Sequence, residues 1–126
     1  MLEATSAPLT TLHFRSLGLS SVQVVSIAEA FEQDTEGTNH LIASVSFSYN
    51  RDLGDLGAAA LAKNMPHSLQ EIGLVACGIG DIGGLALLDW IKKSPQLRMV
   101  CIEQNSFSPE LSAQFRQLGH QMMMVV

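Results

Sequence analysis

Leu69, Ile72, Leu74 and Cys77 recur at the same mutual spacings as Leu97, Val100, Ile102 and Asn105, 28 residues further on (69 to 97). A motif returning at a period of about 20–50 residues is the mark of a repeat architecture. A unit that short cannot bury its apolar side alone, so the recurrence restricts the chain to units stacked in file. Laid back toward the start, the same spacing is filled by Ile42, Val45, Phe47 and Asn50, and before them by Leu9, Leu12, Phe14 and Leu17. The openings at 9, 42, 69 and 97 lie 33, 27 and 28 residues apart. The polar stretch Glu32 to Asn39, EQDTEGTN, accounts for the long first interval as a loop insertion between a helix and a strand.

Each unit changes period half-way. The first half alternates apolar with polar or small residues, the pattern of a short strand with one buried face. The second half spaces its apolar residues by three and four. Asp55 stands as the expected N-cap ahead of Leu61 and Met65, and Asp81 ahead of Leu87 and Ile91. Ser21 caps a stripe of Val24, Ile27 and Phe31, and Ser108 followed by Pro109 and Glu110 opens a helix carrying Leu111, Phe115 and Leu118. Gly119 is the expected helix stop, and Met122 to Val126 begins a fifth strand. Parallel strands joined by helical crossovers give an α/β array with its sheet on an inner, concave wall and its helices on the outer one. The expected organisation is a single domain over 1–126, with units at about 9–41, 42–68, 69–96 and 97–121 and the fifth strand at 122–126.

Hydrophobic residues make up 47% of the chain and charged residues 15%, below the usual quarter, so much of each unit's surface must be covered by its neighbours. Twelve acidic against seven basic side chains give a net charge of −5 with no Lys/Arg run. That balance argues against nucleic acid and against an anionic membrane surface, and it favours a basic protein partner. No stretch approaches the roughly 20 apolar residues of a membrane span, and the first residues lack a signal-type apolar run. With two cysteines, too few for a disulfide framework, a soluble cytoplasmic protein is expected. The apolar segment Met122–Val126 would leave a bare strand edge, to be covered by further repeats or by a second copy in a homo-oligomer.

Asn50 followed by LGDLGAAALA, and CGIGDIGGLALLDWI from Cys77, resemble the ribonuclease-inhibitor-like branch of leucine-rich repeats, whose units read Asn/Cys-x-Ile-Gly-Asp-x-Gly-Ala-x-x-Leu. The likeness covers roughly residues 9 to 126. It implies a leucine-rich-repeat solenoid, a right-handed β-α superhelix forming a short horseshoe segment, and a cytosolic binding protein, sensor domain or cytoskeletal cap rather than an enzyme. Leu17 replaces the asparagine of the first unit and Ser108-Pro109 the Gly-Asp of the fourth, so both outer units are expected to be irregular. In this branch the amides of Asn50 and Asn105 point inward to satisfy loop backbone groups, with Cys77 doing the same weakly. Gly54, Gly57, Gly80, Gly83 and Gly84 would allow the tight turn and close helix packing.

Candidates for chemistry are thin. His40, His67 and His120 each stand two places before a strand, yet no cysteine or carboxylate shares that column, so no metal is expected. Cys101 and His13 occupy equivalent outward places three strands apart, about 15 Å at the strand spacing, too far for a nucleophile and its base. Cys101 is expected to be a half-exposed thiol and Cys77 a buried turn residue, unpaired with each other. Gly78, Gly80 and Gly83 match a dinucleotide fingerprint, but KSPQLRMV offers no acidic ribose clamp, so no cofactor is expected. Trp90 falls beside the inward stripe and is expected to pack against a neighbouring helix.

The concave face remains: His13, Arg15 and Ser16; Ser46, Ser48 and Tyr49; Glu71, Gly73 and Val75; Arg98, Cys101, Glu103 and Gln104. A broad shallow wall of mixed charge suits a protein partner better than a substrate. The expected partner-binding residues are His13, Arg15, Tyr49, Glu71, Arg98, Glu103 and Gln104, with Tyr49, Arg15 and Arg98 as anchors because Tyr and Arg tend to dominate binding energy. The expected function is thus a non-catalytic protein-interaction module. The alternative is a structural self-assembling or capping unit working through the C-terminal strand.

Overall fold

The structure, a computed structural model, describes residues 10–33 and 41–126. Leu9, His40 and positions 34–39 of the polar insertion lie outside the described residues. Strands and helices alternate: β1 (Thr10–His13), α1 (Ser21–Glu32), β2 (Ile42–Ser46), α2 (Gly54–Asn64), β3 (Glu71–Gly73), α3 (Asp81–Lys92), β4 (Met99–Cys101), α4 (Pro109–Arg116) and β5 (Met123–Val125). A 3-10 turn, Gln117–His120, links the last two. Neighbouring strands pair in parallel and the sheet order follows the chain order, β1-β2-β3-β4-β5. The protein is therefore α/β, with a five-stranded parallel sheet and four α-helices among the described residues, an arrangement compatible with a repeated β-α unit. Among those residues no helix is long and apolar enough to cross a membrane.

The register brings the expected apolar positions into one row. Leu12, Val45, Ile72, Val100 and Met124 are consecutive partners across the sheet, and the three inner ones are buried. Phe47, Leu74 and Ile102, two residues further on and just past the strand ends, form a second buried row. Val24, Ala28, Leu61, Leu87 and Ile91 close the core from the helices. At the β1 edge Phe14 stacks on Phe47 with ring centres 4.9 Å apart. Trp90 is half-buried and packed on this core, as its place beside the inward stripe predicts.

Leu17 is not the apolar core residue the spacing predicts, being 60% exposed. Asn50, Cys77 and Asn105 at the corresponding places each reach back toward the strand before their own. Leu17 follows β1, the edge of the sheet among the described residues, and has no such described strand to reach. The α4 helix ends at Arg116, ahead of Gly119, and the chain tightens into the 3-10 turn that seats Leu118 in the core.

The helix caps also depart from the simple reading. Ser20, not Ser21, is the N-cap of α1, in a reciprocal box with Gln23: Ser20 Oγ accepts from the Gln23 N–H and Gln23 Oε1 from the Ser20 N–H. Asp55 and Asp81 stand inside the first turns of α2 and α3, where neither caps its own helix. Asp55 Oδ1 instead accepts the N–H groups of Gly80 and Gly83 at 2.8 and 2.9 Å, the N-cap and third residue of the next helix. Asp81 Oδ1 accepts the N–H of Ser108 at 2.8 Å, and Ser108 Oγ, as expected, caps α4 through the Leu111 N–H. The orphan donors of one helix are thus satisfied by the acid of the helix before it, so capping also locks neighbours together. Asp55→Ala is expected to cost about 1–2 kcal/mol in urea unfolding, and Asp55→Asn, which keeps the accepting oxygen, a few tenths. Equal losses for the two variants would contradict the capping role.

Candidate functional site

One sheet face is spent on the core; the other carries the rows that alternate with it. Thr11, Ser44, Glu71, Met99 and Met123 form one such row, and His13, Ser46, Gly73, Cys101 and Val125 the second. None of these ten residues is buried. The face continues past the strand ends, where Ser16, Tyr49, Ala76 and Gln104 each adopt the left-handed conformation, with φ of 54, 66, 54 and 63. A residue with a Cβ in that region is uncommon, and four at corresponding turns make a regular structural column. The backbone ladder holds it: Ser16, Tyr49 and Ala76 donate their N–H to the carbonyls of Ser48, Val75 and Glu103.

Below this column lie the amides expected at the turns. Asn50 is buried; its Oδ1 accepts from the N–H of Leu17 and Leu19 while Nδ2 donates to the carbonyls of Phe14 and Phe47, all between 2.7 and 3.1 Å. Asn105 repeats the pattern two intervals on, accepting from Cys77 and Ile79 and donating to Leu74 and Ile102. Cys77 performs the donor half alone, its thiol reaching the Phe47 carbonyl at 3.2 Å. One side chain in each turn thus satisfies the backbone of two loops, which no strand or helix ladder reaches.

The sequence-predicted site residues distribute unevenly over this face. The Arg15 guanidinium lies over the Tyr49 ring, 5.5 Å from its centre, a cation–π contact that holds both side chains at the β1–β2 side. His13, exposed, is the last residue of β1 and stands opposite Ser46 of β2. Glu71 and Glu103 flank Cys101 toward β3 and β4, and the Cys101 thiol is pushed up by burial and then by those two carboxylates. Oε1 of Glu103 is itself buried with no hydrogen-bond partner among the described residues. Gln104 is exposed in the left-handed column. Arg98 does not share this face's rows. It precedes β4, and Met99 takes the place opposite Glu71. The N–H groups of Arg98 and Met99 both point to the Gln70 carbonyl, and the register beyond is unbroken: with Val100 inward, alternation puts Met99 and Cys101 on the open face and leaves Arg98 off it.

The remaining candidates stand as follows. Among the described residues no group of three or more His, Cys, Asp and Glu is arranged to hold a metal ion; His67 and His120 are exposed, and His40 lies outside the described residues. Cys77 and Cys101 are free thiols. His13 and Cys101 share a row three strand steps apart, about 14 Å at the usual strand spacing. The fingerprint glycines have local causes: Gly78 has φ +67 against the Arg51 carbonyl, and a Cβ on Gly83 would meet the Asp55 backbone at 2.8 Å. The N–H groups of Gly80 and Gly83, which a phosphate would need at this helix start, are occupied by the Asp55 carboxylate. Alternation along the strands was enough to find the open face; the Asp55 relay and the buried polar Asn64 of α2 depend on neighbouring helices and carry no local signal.

The thiols supply a chemical check. Burial raises Cys77 from 9.0 to about 11. The folded state therefore holds this proton more tightly than the unfolded one. The stabilisation is complete below pH 9 and is lost as pH rises toward 11, a fall on the order of 2 kcal/mol. Iodoacetamide at pH 8 is expected to label Cys101 first and Cys77 only as the protein unfolds. Simultaneous labelling, read by mass spectrometry, would contradict the buried thiol.

No protein-family model matches the chain, and no curated protein matches it.

Proposed function

We propose that the chain is a leucine-rich-repeat module of the ribonuclease-inhibitor-like kind, a short solenoid with its sheet on the inner curve, and that it binds a protein partner non-catalytically in the cytoplasm. The observation that carries this reading is the open sheet face. It pairs a stacked Arg15–Tyr49 anchor at one side with the carboxylates of Glu71 and Glu103 beside Cys101 at the other. A face built this way offers a rigid aromatic for burial and negative charge for a Lys or Arg of the partner. The chain's net charge of −5 favours the same basic partner. The leucine-rich-repeat reading is supported by the matching turns: the Asn50 and Asn105 amides, the Cys77 thiol and the left-handed column recur at the sequence period.

The test is recovery of a partner from native cell extract by the wild type and by Tyr49→Ala/Glu103→Ala, with Val22→Ala, an exposed helix residue, as control. A partner held by the sheet face should be recovered at least tenfold less by the double variant and equally by the control. Equal recovery by all three would remove the proposal. A second reading, a self-assembling or capping unit, is favoured by one observation: among the described residues β5 pairs with β4 alone, leaving an apolar outer edge of Met123 and Val125. Mass in solution decides it, since a monomer at high concentration excludes assembly through that edge.

A further inference from the structure

Three large apolar side chains stand where the outward side of a helix is ordinarily polar. Val22, Leu56 and Ile82, in the first turns of α1, α2 and α3, are 72%, 69% and 76% exposed. Each comes two residues before a buried residue of its own helix, Val24, Ala58 and Gly84, so the three occupy one equivalent place. One turn further on, half-buried Val25 and exposed Ala59 and Leu85 widen the row. At this end α2 packs against both neighbours: a Cβ on Gly57 would meet Val24 at 3.3 Å, and one on Gly83 would meet Asp55 at 2.8 Å. The result is an apolar stripe crossing three helices, and contiguous exposed patches of this kind mark interaction sites.

Spacing and charge describe what covers it. Packed helices lie about 8–10 Å apart, so the stripe repeats at about that interval. An α-helix advances about 10.5 Å in seven residues, close to this repeat. Same-side residues of an extended strand recur at about 6.6 or 13 Å, which miss it. Asp52, Asp55, Asp81 and Glu110 border the stripe, Glu110 standing second in α4 as Ile82 does in α3. Among the described residues the bases at this end are Arg51 and Arg15, and Arg15 is turned to Tyr49 on the sheet face. Four acids against Arg51 repel an anionic lipid surface and attract a basic segment. A second copy has no such segment among the described residues: α1 carries no Lys or Arg, and α2, α3 and α4 carry one each, Lys63, Lys92 and Arg116, in their last turns.

We propose that the stripe is the docking site of a basic amphipathic helix from another protein. That helix lies across α1, α2 and α3, with apolar residues seven apart on Val22, Leu56 and Ile82 and with Lys or Arg toward Asp52 and Glu110. The stripe shares no residue with the open sheet face, so this proposal and the one for that face fail separately.

The probe is a synthetic peptide of about 18 residues, roughly 27 Å long as a helix, with Leu on one face at heptad spacing and Lys elsewhere. It is titrated into the ¹⁵N-labelled full chain beside two controls, a shuffled Leu/Lys peptide with no apolar face and a Leu/Glu peptide of the original pattern. The Leu/Lys helix is expected to give saturable shifts at the amides of Leu56, Ile82 and Leu85, and each control to bind at least tenfold more weakly. Leu56→Gln/Ile82→Gln, which alters two exposed side chains and leaves the core intact, should weaken binding at least tenfold. Tyr49→Ala/Glu103→Ala, on the sheet face, should leave it unchanged. Asp52→Lys/Glu110→Lys should reverse the preference between the Lys and Glu peptides. No saturable shift at those amides, equal binding of either control, unchanged binding by Leu56→Gln/Ile82→Gln, or no reversal by the lysine variant would overturn the proposal. So would self-association, or binding to neutral phosphatidylcholine vesicles, that Leu56→Gln/Ile82→Gln abolishes, since a second copy or a lipid surface would then be the occupant.

Discussion

Asn50→Ala is expected to lower the unfolding free energy by about 4 kcal/mol, from four hydrogen bonds each contributing about 1 kcal/mol net. The side chain is fully buried and joins two loops, taking N–H groups from Leu17 and Leu19 and giving its own to Phe14 and Phe47. Alanine leaves all four backbone groups without this partner. Those on the Leu17 side can recover water, since Leu17 is exposed, but the Phe47 carbonyl retains only the long contact from the Cys77 thiol. Asn50→Asp should be nearly as damaging, because it keeps the acceptor and loses both donors. The measurement is the urea midpoint at constant slope, and a loss below about 1 kcal/mol would mean that the amide does not hold the loops. Asn105→Ala should behave alike with a smaller loss, its site being half-exposed.

Gly78→Ala is expected to cost about 3 kcal/mol, although it adds one methyl group to an exposed position. The left-handed backbone at φ +67 accounts for about 1–2 kcal/mol once a Cβ is present. The rest is collision: that Cβ would fall 2.3 Å from the Arg51 carbonyl oxygen, a backbone atom that cannot swing aside. Opening the turn to relieve it strains the Cys77 and Ile79 N–H bonds to Asn105 on either side. Gly18→Ala and Gly54→Ala are the internal controls, with φ of +67 and +63 and nothing within 4 Å of the added carbon. Each should cost only the conformational part, about 1–2 kcal/mol. If all three variants lose the same amount, the contact with Arg51 contributes nothing.

The element order, the parallel rows and the turn amides were legible because each depends on residues close in sequence that recur. Alternation around Val45, Ile72 and Val100 names the buried face of the sheet, and the return of Asn50 and Asn105 at the period names the side chains that close the turns. The open face was legible for the same reason, since it is what alternation leaves over. Arg98 departs from that logic rather than from the fold: counted from the inward Val100, alternation gives the open face to Met99 and Cys101 and not to Arg98. The pairing of Arg15 with Tyr49 joins neighbouring strands, and each residue was named separately without the contact that holds them together.

What the sequence determined by itself was the unit: a short strand, a turn closed by an amide or thiol, a helix with one apolar stripe, and the interval at which they return. What only the tertiary structure decided was every interaction made between units. An aspartate inside the first turn of one helix caps the next, because stacking brings its carboxylate to the free N–H groups of Gly80 and Gly83. A run of alanines becomes the floor of a cleft only when Trp90 stands across from it. Local hydrogen bonding and apolar periodicity are written along the chain. The geometry between residues some 25 positions apart (55 to 80) is set by the packing of helix on helix.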